Sequence, residues 1–335
     1  MNSPITGKPM KLIKESSSKL TFRKEEFVIT YHYYLCEDSG EQFTTDELDL
    51  INQIQVHNKY REMYGIPFPE EIKEIRNKYK VSANKISEIL GMGANTYRLY
   101  EDGEIPSVSN GRLILAIKHP KDFIKQVEAS AHLLGEKELK KYIDTANTLL
   151  DADKKNHWDI LFTKHIFAYE RPNEFTGYSV PDLNKIAQII NYFTQKKDVF
   201  KTKLNKLLFY ADFGYYKHSG FSMTGITYRA IQMGPVPSEY YKMYGKLCDD
   251  ELIAIKHVQF VDGNYGEAIV GAQEFDDSLF SDVEKNILEQ VSKNFLELNT
   301  NEIINKSHEE QAWISNEGSK ELISYQKFAF DLKNL

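Results

Sequence analysis

Between Phe68 and Arg112 the apolar residues recur at a spacing that leaves few choices of fold. Ile72, Ile75 and Tyr79 form one stripe, and after a capping Ser82 the residues Ile86, Ile89 and Leu90 form a second. Each is the period of a helix burying one face. Gly91 then suits the left-handed turn at a helix C-terminus, and a short helix from Ala94 to Asp102 is expected to follow. Helices this short bury little alone. They need the helix before them and a further one, roughly Ser107 to Lys118, which supplies Leu113, Ile114 and Ile117. The pattern predicts a helix-turn-helix bundle whose third helix is offered to a DNA major groove.

The run GMGANTYRLYEDG, Gly91 to Gly103, resembles the helix-turn-helix domain of MqsA-type and wider XRE-type antitoxins and repressors over about fifty residues. The resemblance implies that Asn95 reads a base and that Tyr100 and Glu101 close the bundle. Lys85, Asn95, Thr96, Arg98 and Arg112 are the expected DNA-binding residues. Two positions depart from the pattern: Ala83 stands where a phosphate-binding glutamine is frequent, and Leu99 stands where the MqsA-type proteins have a base-reading arginine, with Arg98 one place earlier. Amide and guanidinium groups bond adenine and guanine bidentately, so Asn95 and Arg98 have the chemistry required.

At 335 residues the chain is long enough for two or three domains. Its net charge of −7 argues against nonspecific coating of nucleic acid. From Ile66 to Lys121 there are 9 basic and 7 acidic residues, whereas Arg171 to Leu335 has 18 basic and 23 acidic, a half better suited to meeting protein than phosphate. No apolar run is long enough to span a bilayer and the N-terminus lacks a signal-peptide core, so a cytoplasmic protein is expected. Two cysteines, Cys36 and Cys248, make no disulfide framework.

The first segment, residues 1–45, has β character in Leu20 to Lys24 and Phe27 to Leu35. It resembles the zinc-ribbon module that precedes the helix-turn-helix in MqsA-type proteins, but the four ligand positions are Ser3, Thr6, Cys36 and Ser39, with Pro4, Gly7, Gly40 and Glu41 retained around them. One thiolate does not hold a structural zinc, so no metal and no cofactor is expected. Packing by Phe22, Phe27, Val28, Tyr31 and Tyr33, or contact with another domain, must replace it. The helix-turn-helix domain is placed at 46–122 and a helical linker at 123–170, with Leu139, Ile143, Ala146 and Leu150 at helical spacing. The loop Tyr169 to Val180 is the candidate boundary.

From 180 to 335 the chain reads as α+β. One helix carries Leu204, Leu207, Leu208, Ala211 and Tyr215 on one face, with Lys206 and Tyr210 on its flank. A strand from Ile226 to Gln232 leads into a rigid Gly234–Ser238 corner, where Ser238 is expected to cap the next helix. A hairpin at Gly263-Asn264 and two closing helices, Ser281 to Leu296 and Asn301 into Trp313, complete the half.

The runs KLNKLLFYADFGYYKHSG, ITYRAIQMGPVPSEYY and ELNTNEIINKSHEEQAW resemble, in order and spacing, the Panacea or SocA-like domain of antitoxins. The resemblance implies a surface that neutralises a cognate toxin protein. Lys206, Tyr210, Arg229, Gly234, Pro235 and Tyr240 are its expected toxin-binding residues. The whole reads as a mainly helical α+β antitoxin with operator DNA and a toxin as partners, no membrane partner, and a homodimer on a two-fold operator. Two alternatives remain: a ligand- or partner-responsive regulator without a toxin, and an adaptor that hands a toxin to a protease. An enzyme ranks last. His308-Glu309 is not completed to HExxH, since Ala312 stands at the last position, and neither cysteine sits in a nucleophile motif.

Overall fold

The computed structural model describes residues 1–155, 157–167, 171–195, 197–260, 263, 265–319 and 321–335. It is about 52% helical with small sheets, the mainly helical α+β class read from the sequence. Asn156, Tyr169, Glu170 and Asn264, which belong to the expected linker, boundary loop and hairpin turn, lie outside the described residues.

Two compact units emerge, and the first is discontinuous: residues 1–56 and 166–335 form one, residues 57–165 the other. In the first, β1 (Lys11–Phe22) and β2 (Glu25–Leu35) make a long antiparallel hairpin, and β3 (Gln42–Phe43) adds to β2. β1 begins nine residues before the strand expected at Leu20, because residues 11–15 and 18–19 pair with β2 despite their mostly polar character, across an irregularity at Ser16-Ser17 where Ser17 takes φ 69°. Arg23 and Lys24, expected within a strand, instead form the tight turn, both at positive φ (48° and 73°). The helix α1 (Asp46–Tyr64) stitches itself to β2 through side chains. Asn52 accepts from the His32 N–H and donates to the His32 carbonyl, each at 2.9 Å, and Gln55 does the same with Thr30, also at 2.9 Å. The Gln55 side-chain oxygen also accepts from Gln326 at 2.7 Å. With His32 edge-on to Phe330 at 4.7 Å, and Lys14 donating to the Phe330 carbonyl, segment 1–56 is tied directly to the C-terminal half.

The second unit is a helical bundle of α2 (Pro69–Lys78), α3 (Ala83–Ile89), α4 (Thr96–Glu101), α5 (Val108–Ala116), α6 (Pro120–Ala129), α7 (Glu136–Lys155) and α8 (His157–Phe167), whose last two residues fall in the first unit. Local signals set its boundaries. Pro69 opens α2, the Ser82 hydroxyl caps α3 by accepting from Lys85 N–H, Ser107 caps α5, and Gly91 adopts φ 68° after α3. Ile72, Ile75, Tyr79, Ile86, Ile89, Tyr97, Ile114, Ile117 and Phe123 share one core, and Tyr142 and Ala146 of α7 are buried in it. The stripe on α7 therefore completes this core. Gly111 lets α5 approach closely, since a Cβ there would lie 2.7 Å from the Ile66 side chain.

The rest of the first unit starts with α9 (Leu183–Thr194), capped by Asp182, then β4 (Val199–Phe200) and α10 (Lys201–Ser219). β5 (Tyr228–Ile231) pairs with β6 (Gly234–Pro237), so the expected proline corner is a strand of a two-stranded ribbon. Prolines are admitted there because a ribbon this narrow is all edge and needs few N–H donors. α11 (Tyr240–Asp249) follows, but Ser238 does not cap it: the N-cap is Glu239, without a side-chain bond. β7 (Ile253–Gln259) and β8 (Tyr265–Gly271) complete a sheet in the order β4-β8-β7. α12 (Asp282–Phe295) and α13 (Thr300–His308) both start in capping boxes, and the short α14 (Gln311–Ile314) and α15 (Tyr325–Phe328) close the fold. α10 is the axis of the unit: Lys203 to Gly214 are buried without a break.

Candidate functional site

Two surfaces bring together residues with binding chemistry, one in each unit. In the bundle, α4 turns Tyr97 and Tyr100 inward, where their hydroxyls bond the Ile72 carbonyl at 2.8 Å and the Asn110 amide at 3.0 Å. Glu101 accepts from the Arg76 guanidinium at 2.6 and 3.3 Å, fixing α4 against α2. The opposite face of α4 is exposed, and at about 100° per residue Asp102, Asn95 and Leu99 fall within about 60° of one another, with Arg98 on the flank about 60° from Asn95. Asn95 is the N-cap, yet its side chain makes no capping bond, so its amide is left to solvent. Arg98 lines a surface cleft of about 500 Å³ with Lys73 and Asn84. Arg112 is exposed on α5, and Thr96 is half-buried. Lys85 is otherwise engaged: its ammonium pairs with Glu88 at 2.8 Å, which holds its proton more firmly than usual and weakens it as a phosphate contact.

At the start of the chain the structure does bring Ser3, Thr6, Cys36 and Ser39 together. Gly7 and Gly40 take left-handed φ of 71° and 72° in the two facing turns. The Ser3 hydroxyl oxygen accepts from the Ile5 and Thr6 N–H groups, and Thr6 Oγ1 lies 3.7 Å from Cys36 Sγ. Hydrogen bonds from Ser3 and then Ser39 bring the Cys36 thiol down to about 6. One thiolate among three hydroxyls is a hydrogen-bonded knot and a poor zinc frame. Among the described residues no group of three or more His, Cys, Asp and Glu is placed to hold a metal.

In the first unit the expected toxin-binding residues are mostly interior. Lys206 and Tyr210 are 0% exposed, contrary to their expected place on the flank of α10. α10 is surrounded on every side, so its polar residues are buried with its leucines. Lys206 donates to the Pro235 carbonyl at 3.0 Å, and burial alone lowers its ammonium to about 7. The Tyr210 hydroxyl donates to Glu310 at 3.3 Å, its ring stacking on Phe295 at 4.1 Å. Gly234, at φ 94°, and Pro235 are also buried; a Cβ on Gly234 would lie 2.6 Å from Lys206 Cε, so glycine is what admits the lysine stem. Arg229 and Tyr240 are half-buried. His308 stacks on Trp313 at 3.8 Å, and the indole N–H donates to the Ile231 carbonyl at 2.8 Å. Lys206, Tyr210, Gly234 and Pro235 thus pack the interior, and of the tyrosines that open α11 it is Tyr241 that is exposed, at 66%.

That tyrosine belongs to a groove of about 630 Å³ that the sequence reading missed. Its walls include Phe200, Tyr241, Phe260 and Tyr265, the last 70% exposed. Gly266 makes room for the rings, since a Cβ there would lie 2.6 Å from Phe260. The Lys201 ammonium pairs with Glu267 and sits 4.2 Å from the centroid of the Tyr241 ring. The alternation of the β7–β8 hairpin, which places Phe260 and Tyr265 near one turn, was the available signal.

Residues 204–314, which run from α10 to α14, match the family model of the Panacea domain of SocA-like antitoxins. This segment is thus an antitoxin-like domain, and it points to a role in a toxin–antitoxin system. No curated protein and no solved structure matches the chain. Among the described residues no helix is long and apolar enough to cross a membrane.

Proposed function

We propose that the chain is a non-enzymatic antitoxin with two binding activities: its Panacea-like unit masks a toxin protein by direct contact, and its helical bundle binds the promoter of its own operon as a helix-turn-helix. The observation that carries the first activity is the match over α10 to α14, in a unit that presents an open aromatic groove. Tyrosines supply much of the energy of protein interfaces, and Tyr241 and Tyr265 replace the buried Lys206 and Tyr210 as the proposed anchors. The second activity is supported by the exposed Asn95 and Arg98 on α4. The groove also has the size of a small-ligand site, which favours the ligand-responsive regulator as the second reading.

The test is co-expression of the full chain with the product of the neighbouring reading frame. Tyr241→Ala with Tyr265→Ala is expected to lose protection while the thermal midpoint stays within a few degrees, because both side chains are mainly exposed. Growth unaffected by either gene product alone would remove the toxin and favour the regulator. In a gel-shift on the DNA upstream of the gene, Asn95→Ala with Arg98→Ala is expected to weaken binding by about 2 kcal/mol, roughly thirtyfold, with neutralisation intact. Unchanged affinity and sequence preference would remove these two residues from the readout.

A further inference from the structure

We propose that Leu99 reads a thymine in the DNA bound by α4, by covering its C5-methyl group in the major groove. The inference rests on the DNA-binding reading above and adds a base to it. Leu99 is 48% exposed. It lies about 160° round the helix from the buried Tyr97, about 100° from Tyr100 and about 40° from Asn95, at one edge of the exposed face, with Arg98 at the other. Its neighbours on that face of the helix are Asn95, Arg98 and Asp102, all polar and exposed. Of the four bases only thymine presents an apolar group in the major groove, and an aliphatic side chain is its complement. The division of labour on α4 is then distinct for each residue: the Asn95 amide suits adenine, the Arg98 guanidinium suits guanine or a phosphate, and Leu99 suits thymine. Asp102, a carboxylate on the same face, disfavours a phosphate beside it and so turns this part of the helix toward base edges.

The experiment uses the full chain, as wild type, Leu99→Ala and Leu99→Met, to select binding sites from a pool of random-sequence duplexes. Each thymine of the selected wild-type site is then replaced singly by deoxyuridine, which keeps every hydrogen-bonding atom and removes only the methyl group. One such replacement is expected to weaken wild-type binding about fourfold, the factor that corresponds to roughly 0.8 kcal/mol for one buried methyl. The same replacement should leave Leu99→Ala unaffected, and Leu99→Met should keep most of the wild-type penalty. A wild type indifferent to uracil at every position overturns the assignment, as does Leu99→Ala with an undiminished penalty. A selected site that still depends on Asn95 and Arg98 under either result confines the failure to Leu99, whereas no selected site at all overturns the DNA reading with it.

Discussion

Asp212→Ala is expected to destabilise the first unit by about 3 to 5 kcal/mol, a large part of the roughly 5 to 15 kcal/mol that keeps an ordinary domain folded. The carboxylate is completely buried on α10, and among the described residues no cation lies in hydrogen-bonding range; it accepts four hydrogen bonds instead. Met223 and Thr224 N–H donate to one oxygen at 2.9 and 2.8 Å, and the Thr224 and Tyr228 hydroxyls donate to the other at 2.5 and 2.8 Å. The loop that joins α10 to β5 is therefore folded around one side chain. Alanine leaves four donors buried with nothing to accept them, each costing about 1 to 3 kcal/mol before relaxation. Urea unfolding followed by circular dichroism measures the loss; a change below about 1 kcal/mol would mean that the loop is held by its apolar contacts.

The same site sets a pH dependence. Burial pushes the Asp212 carboxyl up to about 6, the four hydrogen bonds opposing it. Between about 4 and 6 the folded state holds a proton that the unfolded state has released. This contribution is therefore present at low pH and lost as pH rises through that window, by about 3 kcal/mol at roughly 1.4 kcal/mol per pH unit.

What the sequence revealed was what neighbours along the chain determine. The caps at Ser82 and Ser107, the turn at Gly91 and the stripes of α2 and α3 are encoded within a few residues of themselves, so the bundle was legible. The Panacea-like runs were legible as a pattern, but exposure was not. The position of Lys206 beside Leu207 and Leu208 reads as a flank only if α10 has one, and whether a helix is covered on one side or on all is decided by β6, α12 and α13, far along the chain. Tyr210 and Tyr241 illustrate the same limit in opposite directions: one is interior, one is 66% exposed, and both are tyrosines in helices. The discontinuous unit was beyond reach because it depends on contacts such as Gln55 with Gln326 and His32 with Phe330, which no local pattern announces.

Lys206→Met is expected to remove a rise in stability between pH 7 and about 10. Lys206 is 0% exposed and its ammonium donates to the Pro235 carbonyl, its one hydrogen bond among the described residues, and burial lowers it from 10.5 to about 7. Between those values the folded state holds a neutral amine while the unfolded chain carries a proton. The unfolded state binds more protons, and stability therefore increases with pH through this window, by about 5 kcal/mol in total, of which about 4 kcal/mol falls between pH 7 and 10. Lys14, Lys203 and Lys217 are lowered in the same direction, so the wild-type slope is a sum, and the difference between wild type and variant isolates Lys206. Above pH 10 the buried Tyr228, Tyr244 and Tyr325, whose hydroxyls are raised far beyond their ordinary range, act in the opposite sense, which fixes where the measurement should stop. Methionine has nearly the length of the lysine stem and fits the space that Gly234 leaves, so near pH 7 the loss of one hydrogen bond to Pro235 is offset by removing a polar group from the interior. Urea unfolding at pH 7, 8, 9 and 10 should give curves that meet near pH 7 and diverge upward. Parallel curves would show that the amine reaches solvent, and would return Lys206 to the surface role that its buried position argues against.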